Sequence, residues 1–185
     1  VYFPEPAWTI TDDMQLWFGV SEEYRIGHYD DGDLVQLVTK PFIRRPISDR
    51  DREPLWAYLE EVWLFAGATS EVMHQMRDRV HFADVFPAFW FEGVAAGPMG
   101  TMWVQHVQPA SDLSADALES WSPFEDVGAP DWDVFGADGR FLGVVTLPRR
   151  FTPRVFRGDR IYGLWRDEVD VQYVVRLRVL WPGAS

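Results

Sequence analysis

Cysteine is absent from the 185 residues, which removes disulfides, thiolate metal sites and cysteine nucleophiles together and leaves the redox compartment open. Basic charge is scarce: 17 Lys and Arg stand against 29 Asp and Glu, and the net charge of -12 sets up a field that repels phosphate backbones and anionic membrane surfaces. No apolar run approaches the roughly twenty residues that cross a bilayer. The opening "VYFPEPAW" has neither the basic nor the apolar region of a secretory signal. Missing, too, are the G-x-S-x-G serine elbow and any phosphate-binding glycine pattern, since "GPMGT" lacks both the lysine and the following helix. The chain starts at Val1 rather than Met, as expected if a leader has been removed or if it is a piece of something longer.

What the sequence has in quantity is aromatic and β-branched text. Ten Trp, thirteen Phe and six Tyr, many beside Val, Ile or Thr, favour pleated, half-buried surfaces over long helices. From Pro4 to Pro41 the runs "AWTIT", "LWFGV", "YRIGHY" and "LVQLV" alternate with polar turns, which predicts a four-stranded meander. Gly32, preceded by Asp31 between two apolar runs, supplies the positive φ of a tight hairpin. At Ile47 the period changes to three and four, with Leu55, Leu59, Val62, Trp63 and Ala66 on one stripe, which predicts an amphipathic helix that Gly67 ends. Ser48 and Asp51 have the spacing of a capping box, although Pro54 suggests that regular helix begins only there. A second helix is expected after Thr69 or Ser70, carrying Val72, Met73, Met76 and Val80, and a short one between Leu113 and Trp121. Strand text resumes near Phe86 with "AFWFEGV", then "TMWVQHV", "WDVF" and "FLGVV", and a last round runs "FTPRVF", "RIYGLW" and "VQYVVRLRVL".

The rounds align. Leu16-Trp17, Met102-Trp103 and Ile161-Tyr162 each follow a turn, and on that alignment Tyr29 matches Phe135, Gly32 matches Gly139, Leu37-Val38 matches Val144-Val145 and Pro41 matches Pro148. Tandem four-stranded meanders of about forty residues are the sequence mark of β-propeller blades. The expected fold is mainly β, a partial β-propeller of four-stranded antiparallel blades forming one segment over 1–185. It comprises a blade at 3–41, an inserted helix hairpin at 47–80, a blade at 86–148 and an incomplete closing blade at 151–180, whose missing outer strand another part of the chain would supply. Fewer than three full blades fall short of the minimum of about four for a closed ring. The chain is therefore expected to be the C-terminal part of a longer propeller or to close its ring with another subunit.

The residues "LWFGVSEEYRIGHYDDGDLVQLV", "TMWVQHV", "WDVFGADGRFLGVV" and "RIYGLWRDEVDVQYVVRL" resemble bacterial six-bladed β-propeller proteins of the NHL-like kind, and particularly their closing blades. The resemblance implies an exported protein, periplasmic or anchored to the outer membrane as a lipoprotein, and says little about activity, since propellers host binding, scaffolding and several chemistries.

Among candidate site residues, none is nominated as catalytic, and no metal or other cofactor is expected. None of the four histidines has zinc-ligand spacing; His74 and His81 stand seven apart, too far to share an ion, and His28 is expected to be a satisfied strand residue. Asp30, Asp31 and Asp33 lack the rest of a calcium loop, and the hairpin already explains them. Arg44, Arg45, Arg77 and Arg79 on the helix hairpin are offset by Glu60, Glu61, Glu71 and Asp78, so a DNA-reading helix pair is disfavoured. The binding candidates are Trp90, expected near the start of an inner strand, His106, on the alternate face from Trp103 and Gln105, and the carboxylates Asp167 and Glu168 in the turn "WRDEVD". The expected function is a non-enzymatic ligand-binding or protein-interaction module, its partner an unidentified small molecule or protein and not nucleic acid. The alternative is a propeller enzyme, a metal-dependent lyase or hydrolase whose site would be completed by blades outside this chain.

Overall fold

The computed structural model describes residues 1–124, 126–167 and 171–180. Its frame is three antiparallel sheets, each a meander of consecutive strands. The first holds β1 (Pro6–Ile10), β2 (Leu16–Val20), β3 (Arg25–Asp30) and β4 (Asp33–Thr39) in chain order. The second holds β5 (Val94–Ala96), β6 (Met102–Val107), β7 (Gly128–Phe135) and β8 (Phe141–Thr146). The third has three strands, β9 (Phe151–Arg157), β10 (Arg160–Arg166) and β11 (Gln172–Arg178). The mainly β expectation with an inserted helical pair is borne out.

The repeat alignment is a register in space. Leu16 pairs with Tyr29 and Met102 with Phe135, while Trp17 pairs with His28 and Trp103 with Val134, so the same cross-strand positions recur in both sheets. The expected hairpin turn is present: Asp31 (φ 48°) and Gly32 (φ 92°) both take the left-handed region, which fits the strand twist and is cheap for Gly and tolerable for Asp. His28 is satisfied as expected, its ring stacked on Trp17 at 4.1 Å and its Nε2 2.8 Å from Gln15 Oε1.

The sheets stack in layers through alternating side chains. Ala7, Trp17, Ile26 and Val38 of the first sheet meet Met102, Val104 and Phe135 of the second. From the opposite face of the second sheet, Trp103, Trp132 and Val134 meet Phe151 and Ile161 of the third. The second sheet is thus covered on both faces, which is why β6 begins with three buried residues in a row, Met102, Trp103 and Val104.

Between the first two sheets in chain order come α1 (Asp49–Phe65) and α2 (Ser70–Arg77), clasped at their base by the bridge between Pro46 and Val85. Pro54 does not delay the first helix, which starts at Asp49. The reason is Asp51: its Oδ2 accepts the Ser48 N–H at 3.0 Å, fixing the first turn ahead of the proline, while its Oδ1 accepts the Ser111 N–H at 2.8 Å. Burial works against this carboxylate's charge, but the hydrogen bonds from Ser111 and Ser48 outweigh it and hold its pKa below the usual range. Asp51→Ala removes a cap and strands the Ser111 N–H, so a loss of about 2 kcal/mol is expected in urea denaturation; a change within about 0.5 kcal/mol would rule out this account. Of the predicted stripe, Leu55 and Trp63 are buried, whereas Val62 is 42% exposed. The helix expected within 113–121 is α3 (Ala115–Glu119). No helix among the described residues is long and apolar enough to cross a membrane.

One element departs from its text. "AFWFEGV" is not a strand; residues 87–93 are irregular, and the strand is confined to Val94–Ala96. The apolar residues there are used for packing without a ladder: Phe89 is fully buried in the core between the first two sheets, and Phe86 packs with Tyr2, Ile47 and Val127 beneath the helices.

Candidate functional site

Thr9 of β1, Val94 and Ala95 of β5, and Phe151 to Arg154 of β9 line one open cleft of about 650 Å³, so the first strand of every sheet contributes to it. That volume is in the range of small-molecule sites. The polar loop between β6 and β7 closes one side through Gln108, Ala117, Ser120, Trp121 and Asp126. Trp90, Trp121, Trp132 and Trp165 all line it, as do Arg149, Arg150, Arg154 and Arg166. In a chain of net charge -12, four arginines against the two carboxylates Glu92 and Asp126 make the cleft locally basic.

The arginines divide by what already holds them. Arg150, in the left-handed region at φ 58°, donates through Nη1 to the Asp167 carbonyl at 2.9 Å and through Nη2 to the Ser120 carbonyl, bracing the loop against the third sheet. Arg166 lies 3.5 Å from Asp126. Arg149 and Arg154 are exposed and have no ion pair among the described residues. Arg154 sits at a bulge, because β10 pairs Tyr162 with Val155 and the next residue, Gly163, with Pro153. A bulge re-aims the side chain of its extra residue, here into the cleft.

The tryptophans divide in the same way. Trp121 Nε1 donates to the Asp126 carbonyl at 2.9 Å and Trp165 Nε1 to the Arg149 carbonyl at 3.1 Å. Trp132 is only 3% exposed and its buried indole N–H has no acceptor among the described residues. Gln105 is fixed alongside: its Nε2 donates to the Ala129 carbonyl at 2.8 Å, and a Cβ on Gly93 or Gly128 would stand 2.2 Å or 2.5 Å from the Gln105 side chain.

A second polar cluster lies outside the cleft. Asp133, fully buried on β7, receives the Tyr24 O–H at 2.6 Å and Lys40 Nζ at 2.7 Å on both oxygens. His106 Nε2 is 2.9 Å from Oδ1, a contact that is not aligned for a hydrogen bond. Burial pushes the Asp133 pKa up, but the nearby His106 ring and the hydrogen bonds from Lys40 and Tyr24 outweigh it and leave the carboxyl below its usual range. Tyr24 is driven the other way, well above the ordinary phenol value, by burial and by its bond to Asp133. Tyr24 and Lys40 come from the first sheet's connections and Asp133 and His106 from the second sheet, so the cluster is a strut between the two sheets.

Of the sequence candidates, Trp90 lines the cleft, not from an inner strand but from the irregular segment before β5, held by its N–H to the Gln105 carbonyl at 2.9 Å. His106 belongs to the strut. Asp167 closes the turn after β10, its Oδ1 accepting the Val171 N–H at 2.9 Å and its Oδ2 the Tyr173 O–H at 3.1 Å. Glu168 lies outside the described residues. Among those residues no group of three His, Asp or Glu is gathered as a metal site would require. No known protein family, curated protein or solved structure matches this chain.

Proposed function

We propose that the three sheets are successive blades of a β-propeller and that the chain is a non-enzymatic binding module whose ligand lies in the cleft at their inner strands. The ligand class is a small ring-bearing carboxylate such as a uronic acid sugar. The observation that carries this reading is the placement in one cleft of two exposed arginines, Arg149 and Arg154, that have no ion pair among the described residues, beside Trp90, Trp121 and Trp165. A guanidinium fork matches a carboxylate in two parallel hydrogen bonds, and the tryptophan faces offer flat apolar platforms for a ring. A long polyanion is disfavoured by the net charge of -12 on the molecule as a whole.

The strut does not favour the enzyme alternative. An aspartate already neutralised by Lys40 and hydrogen-bonded by Tyr24 is a poor base, and none of Tyr24, Lys40, His106 and Asp133 lines the cleft.

Titration of intrinsic tryptophan fluorescence with a glucuronate-containing disaccharide tests the reading, with its neutral glucose counterpart alongside. Saturable quenching by the acid alone is expected, weakened about tenfold or more by Arg154→Ala, which removes an exposed side chain at no cost to the core. Equal binding of the neutral sugar, or full affinity in Arg154→Ala, defeats it.

A further inference from the structure

The layered order leaves two sheet faces uncovered by any of the described residues, and the register says what belongs on them. Sequence-equivalent positions face neighbours in a fixed direction. Trp17 of the first sheet packs toward the second, and its equivalent Trp103 packs toward the third; the next equivalent, Tyr162, lies on the third sheet's open face. In the other direction Met102 packs back toward the first sheet and Ile161 back toward the second, whereas their equivalent Leu16 lies on the first sheet's open face. Each bare face therefore carries the positions that meet a further sheet of the same kind. That of the first sheet is an apolar surface, with Trp8 beside Phe18 and the row Ile10, Leu16, Tyr29, Leu34 crossing all four strands; Trp8 is 62% exposed and Leu34 51%.

Charge decides which sheet. Residues 1–41 carry eight carboxylates against Arg25 and Lys40, and Lys40 is spent on Asp133. Residues 149–178 carry eight arginines against four carboxylates. The pattern is local as well. Asp12, Asp13, Asp30, Asp31 and Asp33 gather at the end of the first sheet where the β1–β2 and β3–β4 turns lie. At the equivalent end of the third sheet, Arg157, Arg160 and Arg178 form one cross-strand row on the open face, with Asp159 as the one carboxylate beside them among the described residues.

We propose that the occupant of both faces is a second copy of this chain: the first sheet of each copy packs on the third sheet of its partner. The two contacts are related by a two-fold axis, and three sheets from each copy close a ring of six. The ring rests on the blade reading proposed above, but neither contact depends on the cleft's ligand.

Native mass by light scattering on the full chain is expected to give twice 21.4 kDa. Arg157→Glu with Arg176→Glu in one chain, and Asp12→Arg with Asp33→Arg in another, change only exposed side chains. Each double variant alone is expected to associate at least tenfold more weakly, because like charges then face each other at both contacts. Mixed one to one, the two are expected to recover the dimer, since every contact is again complementary; that recovery also shows that both variants are folded. A wild-type monomer at every concentration reached overturns the proposal, as does a dimer indifferent to both variants or a mixture that does not recover. A monomer that still binds the disaccharide overturns the ring alone. A dimer whose electron micrographs show sheets joined edge to edge overturns the blade reading with it.

Discussion

Asp133→Ala is expected to lower stability by about 3–5 kcal/mol, enough to consume much of the margin of a domain this size. The carboxylate is fully buried and serves two donors, so truncation strands the Tyr24 O–H and leaves Lys40 Nζ in a pocket whose other walls are the Tyr24 ring, 5.6 Å away, and the Phe141 ring, 4.7 Å away. Lys40 reaches solvent with 29% of its side chain, which places the effect toward the lower end of that range. Because the folded pKa is lowered, the contribution is fully present above the ordinary aspartate value, about 4, and is lost as pH falls through the folded value. Tyr24 sets the opposite limit: its folded pKa is raised, so its contribution is full below about 10 and is lost as pH rises beyond. Urea midpoints of wild type and Asp133→Ala, measured across pH, should therefore converge in acid. A loss below about 1 kcal/mol at neutral pH would show that the strut is ornamental.

Trp103→Ala is expected to cost about 4–5 kcal/mol and to fall on one interface. This side chain is fully buried where the second sheet meets the third, its ring 5.2 Å from that of Phe156 and its Nε1 donating to Thr101 Oγ1 at 3.1 Å. The pocket is built around it, since a Cβ on Gly97 would come within 2.3 Å of that nitrogen. Hydrogen exchange is the discriminating measurement: amides of β9, β10 and β11 should lose protection ahead of those of the first sheet. Uniform loss across all three sheets would mean that they do not separate along this layer. Cleft affinity should fall as well, because Arg149 and Arg154 are carried by the detached part.

Local chemistry was legible where one short stretch contained the whole cause. Asp31-Gly32 dictates its hairpin, and Leu16-Trp17 against Met102-Trp103 gave the true cross-strand register. "AFWFEGV" misled because apolar text has two uses, ladder and plug, and Phe89 is a plug. The strut was illegible for another reason: Tyr24 and Asp133 are 109 positions apart, and no spacing rule joins them. Trp90, expected on an inner strand, lines the cleft from an irregular segment instead, while Arg154 was not singled out although "PRRFTPR" held the signal, three arginines close together in an acidic chain. Net charge hid it, as it hid the contrast between the first and third sheets.

Each sheet is contiguous in sequence, so each can form as soon as its own strands have been synthesised, but its faces must wait for the next. The helical pair lengthens that wait. Between Thr39, which ends β4, and Thr146, which ends β8, the ribosome adds on the order of a hundred residues, roughly 5–20 s at cellular elongation rates. Through that interval the first sheet presents Trp17, Ile26 and Val38 on one side and Trp8, Phe18 and Leu34 on the other. The charges of Asp12, Asp13, Asp30, Asp31 and Asp33 flank those apolar strands, and like charge at such positions opposes premature pairing between neighbouring chains.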